Sequence, residues 1–197
     1  MKMILTSYGF KSPIICNKLR KIITNVKTAR ILILPFASFN STVAALKEKE
    51  AAMKFGFDEE NIYVMNKNNL SNIKNNTFEY IYVSEGDTFK LLKSLKELDC
   101  INYISNAVAN GAVYIGVSAG AYIACANIDY VRQLEDNDYI DNNYSTIGLC
   151  DNLIICHYDM YGYSYYQSCA DKFTDYEIIT IDNDEVVIIY DNSLSRI

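Results

Sequence analysis

The sequence predicts an α/β fold, a three-layer α/β/α sandwich around a mostly parallel central sheet. Three observations carry that expectation. Short runs of Ile, Val, Leu and Tyr recur through the first two-thirds of the chain, each run ends in a turn signal, and patterns with i, i+3, i+4 apolar spacing fill the intervals. Parallel strands need crossovers, and right-handed crossovers place helices on both faces of the sheet.

In chain order, residues 3–5, 29–34, 61–64, 80–83 and 112–115 read as strands. Residues 13–24, 41–55, 88–98 and 101–110 read as the helices between them. Within 88–98, Phe89, Leu91, Leu92, Leu95 and Leu98 make an apolar face and Lys90, Lys93 and Glu97 a polar one. Residues 135–143 are acidic and Asn-rich, which predicts a loop. After it, residues 152–156, 177–181 and 185–190 read as further strands, the last two joined by a turn at Asp182, Asn183 and Asp184. With no repeat or linker visible, residues 1–197 are expected to form one domain, a length that buries roughly 70% of the unfolded surface.

Composition narrows the function. Half of the 197 residues are hydrophobic and the net charge is only -6, a globular balance. No apolar run of about 18 residues is present and the first residues are too short a stretch for a signal peptide, so a cytoplasmic protein with no membrane partner is expected. The six cysteines lack metal-type spacing and should be reduced thiols; with a single His, neither a metal nor another cofactor is expected. A pI near 4.8 without a Lys/Arg block argues against nucleic acid. A small-molecule or peptide substrate remains, bound by a monomer or homodimer.

Ligands of such sheets bind beyond the carboxyl ends of the strands. That directs attention to residues 6–9, 35–40, 84–87 and 116–120. The last of these, Gly116-Val117-Ser118-Ala119-Gly120, matches G-x-S-x-G between an apolar strand and a helix-forming run. Small flanking residues let a nucleophilic hydroxyl stand exposed on a tight strand-to-helix turn. The N–H of Ala119 can then serve a developing oxyanion, and Gly86, after another strand, offers a second donor. Asp87 or Thr88 would cap the helix that follows. The base for Ser118 would be His157, at the end of 152–156 and on the ligand edge of the sheet. Cys156 is a weaker nucleophile candidate, because adjacent strand residues point to opposite faces. A carboxylate behind the imidazole could come from Glu135, Asp136 or Asp138, or from Asp159.

These residues together resemble the peptidase E family of serine peptidases (family S51), whose fold is similar to class I glutamine amidotransferases and flavodoxin-like in outline. The resemblance runs over nearly the whole chain: ILILPFAS at 31–38, IYVSEGDTFKLL at 81–92, YIGVSAGA at 114–121 and GLCDNLIICHY at 148–158. It implies a Ser-His-acid triad of Ser118, His157 and Glu135, with Asp136 as second choice for the acid and Asp159, in an H-x-D spacing, as third. It implies a dipeptidase E-like activity on small peptides, without metal or cofactor. Two departures stand out. Glu85 replaces the first of the family's paired glycines, with Gly86 and Asp87 following, and Cys156 replaces the usual proline before the histidine. An acid beside the oxyanion region would oppose an acidic substrate, and Arg132 and Lys172 are the only candidate cations in that stretch, so the family's Asp-X specificity is not carried over. It also raises an alternative: a catalytically degenerate binding or regulatory protein. A small-ester hydrolase is the remaining alternative.

Overall fold

A computed structural model describes residues 2–135, 141–191 and 193–197. The elements are β1 (Lys2–Thr6), α1 (Pro13–Leu19), β2 (Ile31–Leu34), α2 (Ser41–Phe55), β3 (Ile62–Val64), α3 (Leu70–Lys74), β4 (Tyr80–Val83), α4 (Thr88–Glu97), α5 (Ile101–Ala109), β5 (Val113–Val117), α6 (Ala119–Ile123), β6 (Leu153–Cys156), α7 (Tyr158–Lys172), β7 (Ile178–Ile181), β8 (Val186–Tyr190) and β9 (Ser193–Arg196). Seven strands form the central sheet in the order β3-β2-β4-β5-β1-β8-β9. The pairs from β3 to β1 are parallel, whereas β8 and β9 run antiparallel.

The two-residue period of the strands sorts the core into two layers. Ile4, Ile31, Ile33, Tyr82, Ile115 and Val117 face one way, onto Ile15, Leu19, Ala52 and Phe55 of α1 and α2. Met3, Leu5, Leu32, Leu34, Val83 and Tyr114 face the other, onto residues of α4, α5 and α6 such as Leu92, Ile104 and Tyr122. Helix starts are closed by local acceptors: Ser12 takes the Ile15 N–H ahead of Pro13, Asn40 takes that of Val43, and Asp87 that of Lys90.

The last third departs from expectation. β6 and β7 leave the main sheet and pair in parallel as a separate two-stranded sheet packed on the α4–α6 side. His157 therefore does not end a strand of the central sheet, and the turn at 182–184 links two sheets rather than neighbouring strands. α7 has no counterpart in the sequence reading, because it lacks a continuous apolar stripe and is kinked at Gly162 (φ 67°, ψ -177°). β9 is a wholly exposed edge strand without alternation, and α3 is only five residues long. α1 stops at Leu19, short of the predicted 24.

Between α2 and the sheet, Glu48 is 2% exposed. Its carboxylate accepts from Lys11 Nζ at 2.6 Å and from the Tyr82 hydroxyl at 3.2 Å, and Lys11 also reaches Glu85 at 2.9 Å. Burial, partly opposed by Lys11, raises the Glu48 carboxyl above its ordinary 4.5. The fold then holds a proton that the unfolded chain has already released, so this contribution to stability is present below the ordinary value and lost as pH rises through the raised one. Glu48→Gln should flatten that fall, read as the urea midpoint followed from about pH 4 to about pH 7. A second expectation concerns the turn after β5. A Cβ at Gly120 would lie 2.1 Å from the Val83 carbonyl oxygen, so Gly120→Ala forces strand and helix apart. Its cost should reach the top of the usual overpacking range of about 1–3 kcal/mol in denaturant unfolding.

Candidate active site

Ser118 stands where the sheet ladder hands over to a helix. Its N–H still donates to the Thr6 carbonyl at 2.9 Å, and its own carbonyl already accepts from Ala121 at 2.8 Å and Tyr122 at 3.0 Å. The change of direction falls on one residue, at φ 49° and ψ -107°, a conformation an L-residue holds only when both sides over-determine it. Both glycines of the motif are forced by close approach. A Cβ on Gly116 would meet the Gly120 carbonyl oxygen at 2.7 Å, and Gly120 presses on β4 as described above. The half-buried hydroxyl is left at the mouth of the turn.

His157 reaches that hydroxyl from the other sheet. It follows β6 in a left-handed conformation, φ 54° and ψ 36°, and opens α7. Its N–H donates to Ser7 Oγ at 3.0 Å, and the same fully buried Ser7 oxygen lies 3.1 Å from the Ile181 carbonyl and 3.2 Å from that of Asp182. So held, the ring places Nε2 at 3.1 Å from Ser118 Oγ and Nδ1 at 2.7 Å from Asn183 Oδ1. The Tyr8 ring packs edge-on against the imidazole, with centroids 5.0 Å apart. Behind Asn183, its Nδ2 donates to Asp159 Oδ2 at 2.8 Å.

The remaining expected residues are distributed as follows. Ala119 is the first residue of α6. Gly86, at φ 135°, lies so close to Ala37 that a Cβ would be 2.6 Å from its carbonyl oxygen. Glu135 is not placed behind the ring: its carboxylate accepts from the Thr88 N–H at 2.8 Å and the Thr88 hydroxyl at 2.7 Å, anchoring the chain to the start of α4, where burial raises its carboxyl above the ordinary value. The helix N-terminus offers that carboxylate unpaired donors, which is the physical reason it is held there. Asp136 and Asp138 lie outside the described residues. Asp159 meets the Asn183 amide. Burial pushes the Cys156 thiol up to about 12, which leaves it a poor nucleophile. Glu85 turns onto Lys11, while Arg132 pairs with Asp129 at 3.1 Å and Lys172 donates to the Gln133 side chain at 3.3 Å.

Asn183, Ser7, Tyr8 and Lys11 were not anticipated at the site. Ser7 and Tyr8 do lie in the stretch after the first strand, but Asn183 carried only a turn signal. A cavity of about 860 Å³ opens between α2, α4 and the ends of β2 and β3, with Phe36, Phe39 and Leu46 in its wall; neither Ser118 nor His157 lines it. Among the described residues, no cluster of His, Cys, Asp and Glu could hold a metal ion, and no helix is long and apolar enough to cross a membrane.

Known proteins share this architecture. A crystal structure of a candidate peptidase E protein from Listeria monocytogenes EGD-e superposes with a TM-score of 0.76 at 24% identity, covering 100% of this chain and 97% of that one. A peptidase from an acI-B1 Actinobacterium does so at 0.70 and 16% identity, covering 100% and 86%. At these identities the likeness is one of fold. In sequence, an uncharacterized peptidase of Pasteurella multocida is 32% identical over 115 residues, 56% of each chain. The peptidase E of a Nostoc species is 35% identical over 101 residues, 50% of this chain and 40% of that one. The chain thus spans about half the length of the curated relatives it matches. The profile described as "Peptidase family S51" matches residues 3–197, and the chain therefore belongs to peptidase family S51.

Proposed function

We propose that the protein is a serine hydrolase acting on small peptides, with Ser118 as nucleophile and His157 as general base. The observation that carries this reading is the 3.1 Å contact between Ser118 Oγ and His157 Nε2 on a strained strand-to-helix turn. Ser118 Oγ attacks the scissile carbonyl while Nε2 takes its proton. The N–H groups of Ala119 and Gly86 receive the negative charge that develops on the carbonyl oxygen. His157 then returns the proton to the departing amine, and a water repeats the cycle on the acyl-enzyme.

The ion pair of Glu85 with Lys11 also favours turnover over a degenerate binding role. With its carboxylate 2.9 Å from an ammonium, Glu85 is directed to a counter-charge rather than to the oxyanion. The same pair gives the substrate side of the site no unpaired cation at Lys11, so neutral peptides are better substrates than those with an N-terminal acid.

Two measurements test these statements. A fluorophosphonate should label the protein at one serine, and Ser118→Ala should abolish labelling; equal labelling of the variant removes the assignment. Because a half-exposed pair contributes only about 0–1 kcal/mol, Glu85→Gly should keep kcat/KM on a panel of dipeptides within about fivefold of the wild type. Activity confined to Glu85→Gly would instead mark the natural site as disabled.

A further inference from the structure

A carboxylate only accepts hydrogen bonds, and this decides which way the Asn183 amide faces. Asp159 Oδ2, 2.8 Å away, must receive the Nδ2–H, so Oδ1 is turned to the imidazole at 2.7 Å. An amide oxygen there requires the ring proton on Nδ1. The lone pair is then on Nε2, facing the Ser118 hydroxyl at 3.1 Å, which is the form that can accept the nucleophile's proton. With the amide reversed, Nδ2 would donate to Nδ1, the ring proton would move to Nε2, and the base would point a donor at the serine. Both amide orientations fill the same space, so shape alone does not choose between them.

We propose that Asp159 is a positioning residue that sets the tautomer of His157 through Asn183, so that a neutral amide stands behind the base and the carboxylate one residue further out. This deepens the Ser118–His157 reading and rests on it. The turn that carries Asn183 is held independently of the Asn183 side chain: Ser7 Oγ lies against the Ile181 and Asp182 carbonyls, the Glu185 N–H donates to the Asp182 carbonyl at 3.2 Å, and Arg196 pairs with Glu185 at 2.8 Å. Changes at 183 and 159 therefore leave the backbone in place.

Among the described residues, Tyr8 packs edge-on against the imidazole, Asp159 stands behind Asn183, and the turn that carries Asn183 also holds Asp182, Asp184 and Glu185. Asp182 is itself raised by burial, with Asp159, Glu185 and Asp184 adding to the shift. An amide in contact with the ring supports the imidazolium less than a carboxylate in the same place would. Moving the carboxylate from 159 to 183 should therefore make His157 more basic.

The test follows the rate of fluorophosphonate labelling against pH, a reaction in which Ser118 Oγ bonds to phosphorus, fluoride leaves and His157 takes the hydroxyl proton. Asp159→Ala frees the amide to reverse and should slow labelling about tenfold or more, as misplaced tautomers do in serine hydrolases, with the unfolding midpoint unchanged. Asn183→Asp alone sets two carboxylates about 2.8 Å apart, which cannot both ionise, and should label slowly. The exchange Asn183→Asp with Asp159→Asn should recover the wild-type rate, and its acid limb should move up by about one pH unit. A wild-type rate and limb in Asp159→Ala overturns the proposal, as does an exchange variant no faster than Asn183→Asp. Failure of the wild type to label would instead overturn the underlying Ser118–His157 reading.

Discussion

The site depends on two consecutive residues at the end of β1. The Thr6 carbonyl accepts the Ser118 N–H and so fixes Ser118 at the edge of the central sheet. Beside it, the buried Ser7 hydroxyl accepts the His157 N–H and lies against the carbonyls of Ile181 and Asp182. Ser118 and His157 belong to different sheets, and Ser7 is the polar joint between them. A fully buried hydroxyl that lost these partners would cost about 1–3 kcal/mol in desolvation, so the docking of the small sheet is specified by hydrogen bonds as well as by the apolar contacts of Ile154, Cys156, Ile179 and Ile181.

Strain is concentrated where that joint can hold it. Ser118 and His157 both have positive φ, conformations costing on the order of 1–3 kcal/mol each for side-chain-bearing residues. Each is pinned on both sides, Ser118 by the β1 ladder and the first turn of α6, His157 by Ser7 and by the Met160 N–H, which donates to its carbonyl at 2.9 Å. The glycines at 116 and 120 are what permit the first of these, since any side chain there would enter the space of β4 or of the turn itself.

Charge is distributed to the same end. The chain is acidic, yet the carboxylates nearest the turn after β4 are committed: Glu85 and Glu48 to Lys11, Asp87 to the Lys90 N–H, Glu135 to Thr88. Of these, Glu48 and Glu135 are raised by burial, the expected sign when desolvation outweighs the partners. Glu135 shows why proximity in sequence to a predicted role is a weak guide in a loop. A carboxylate follows the strongest set of donors available, and the start of α4 supplied them.

The first five strands and α1, α2, α4 and α5 were legible because their apolar periods, 2 and 3.6, are local properties of the chain, whereas the five-residue α3 is too short to show one. Ser118 was legible because a strand-to-helix elbow demands small residues at fixed offsets, and His157 because it is the single histidine. The last third was not. α7 has no apolar stripe and a glycine kink, β9 is an exposed edge, and the departure of β6 and β7 into their own sheet is a choice of pairing that periodicity does not encode. Asn183 looked like any turn residue, because its meaning depends on Asp159, 24 positions earlier in the chain. The sequence by itself thus determined the layers of the fold and singled out Ser118 and His157 as a pair. Only the tertiary structure decided what stands behind the His157 ring, since hydrogen-bond partners are chosen by distance and direction in space, which a linear spacing does not contain.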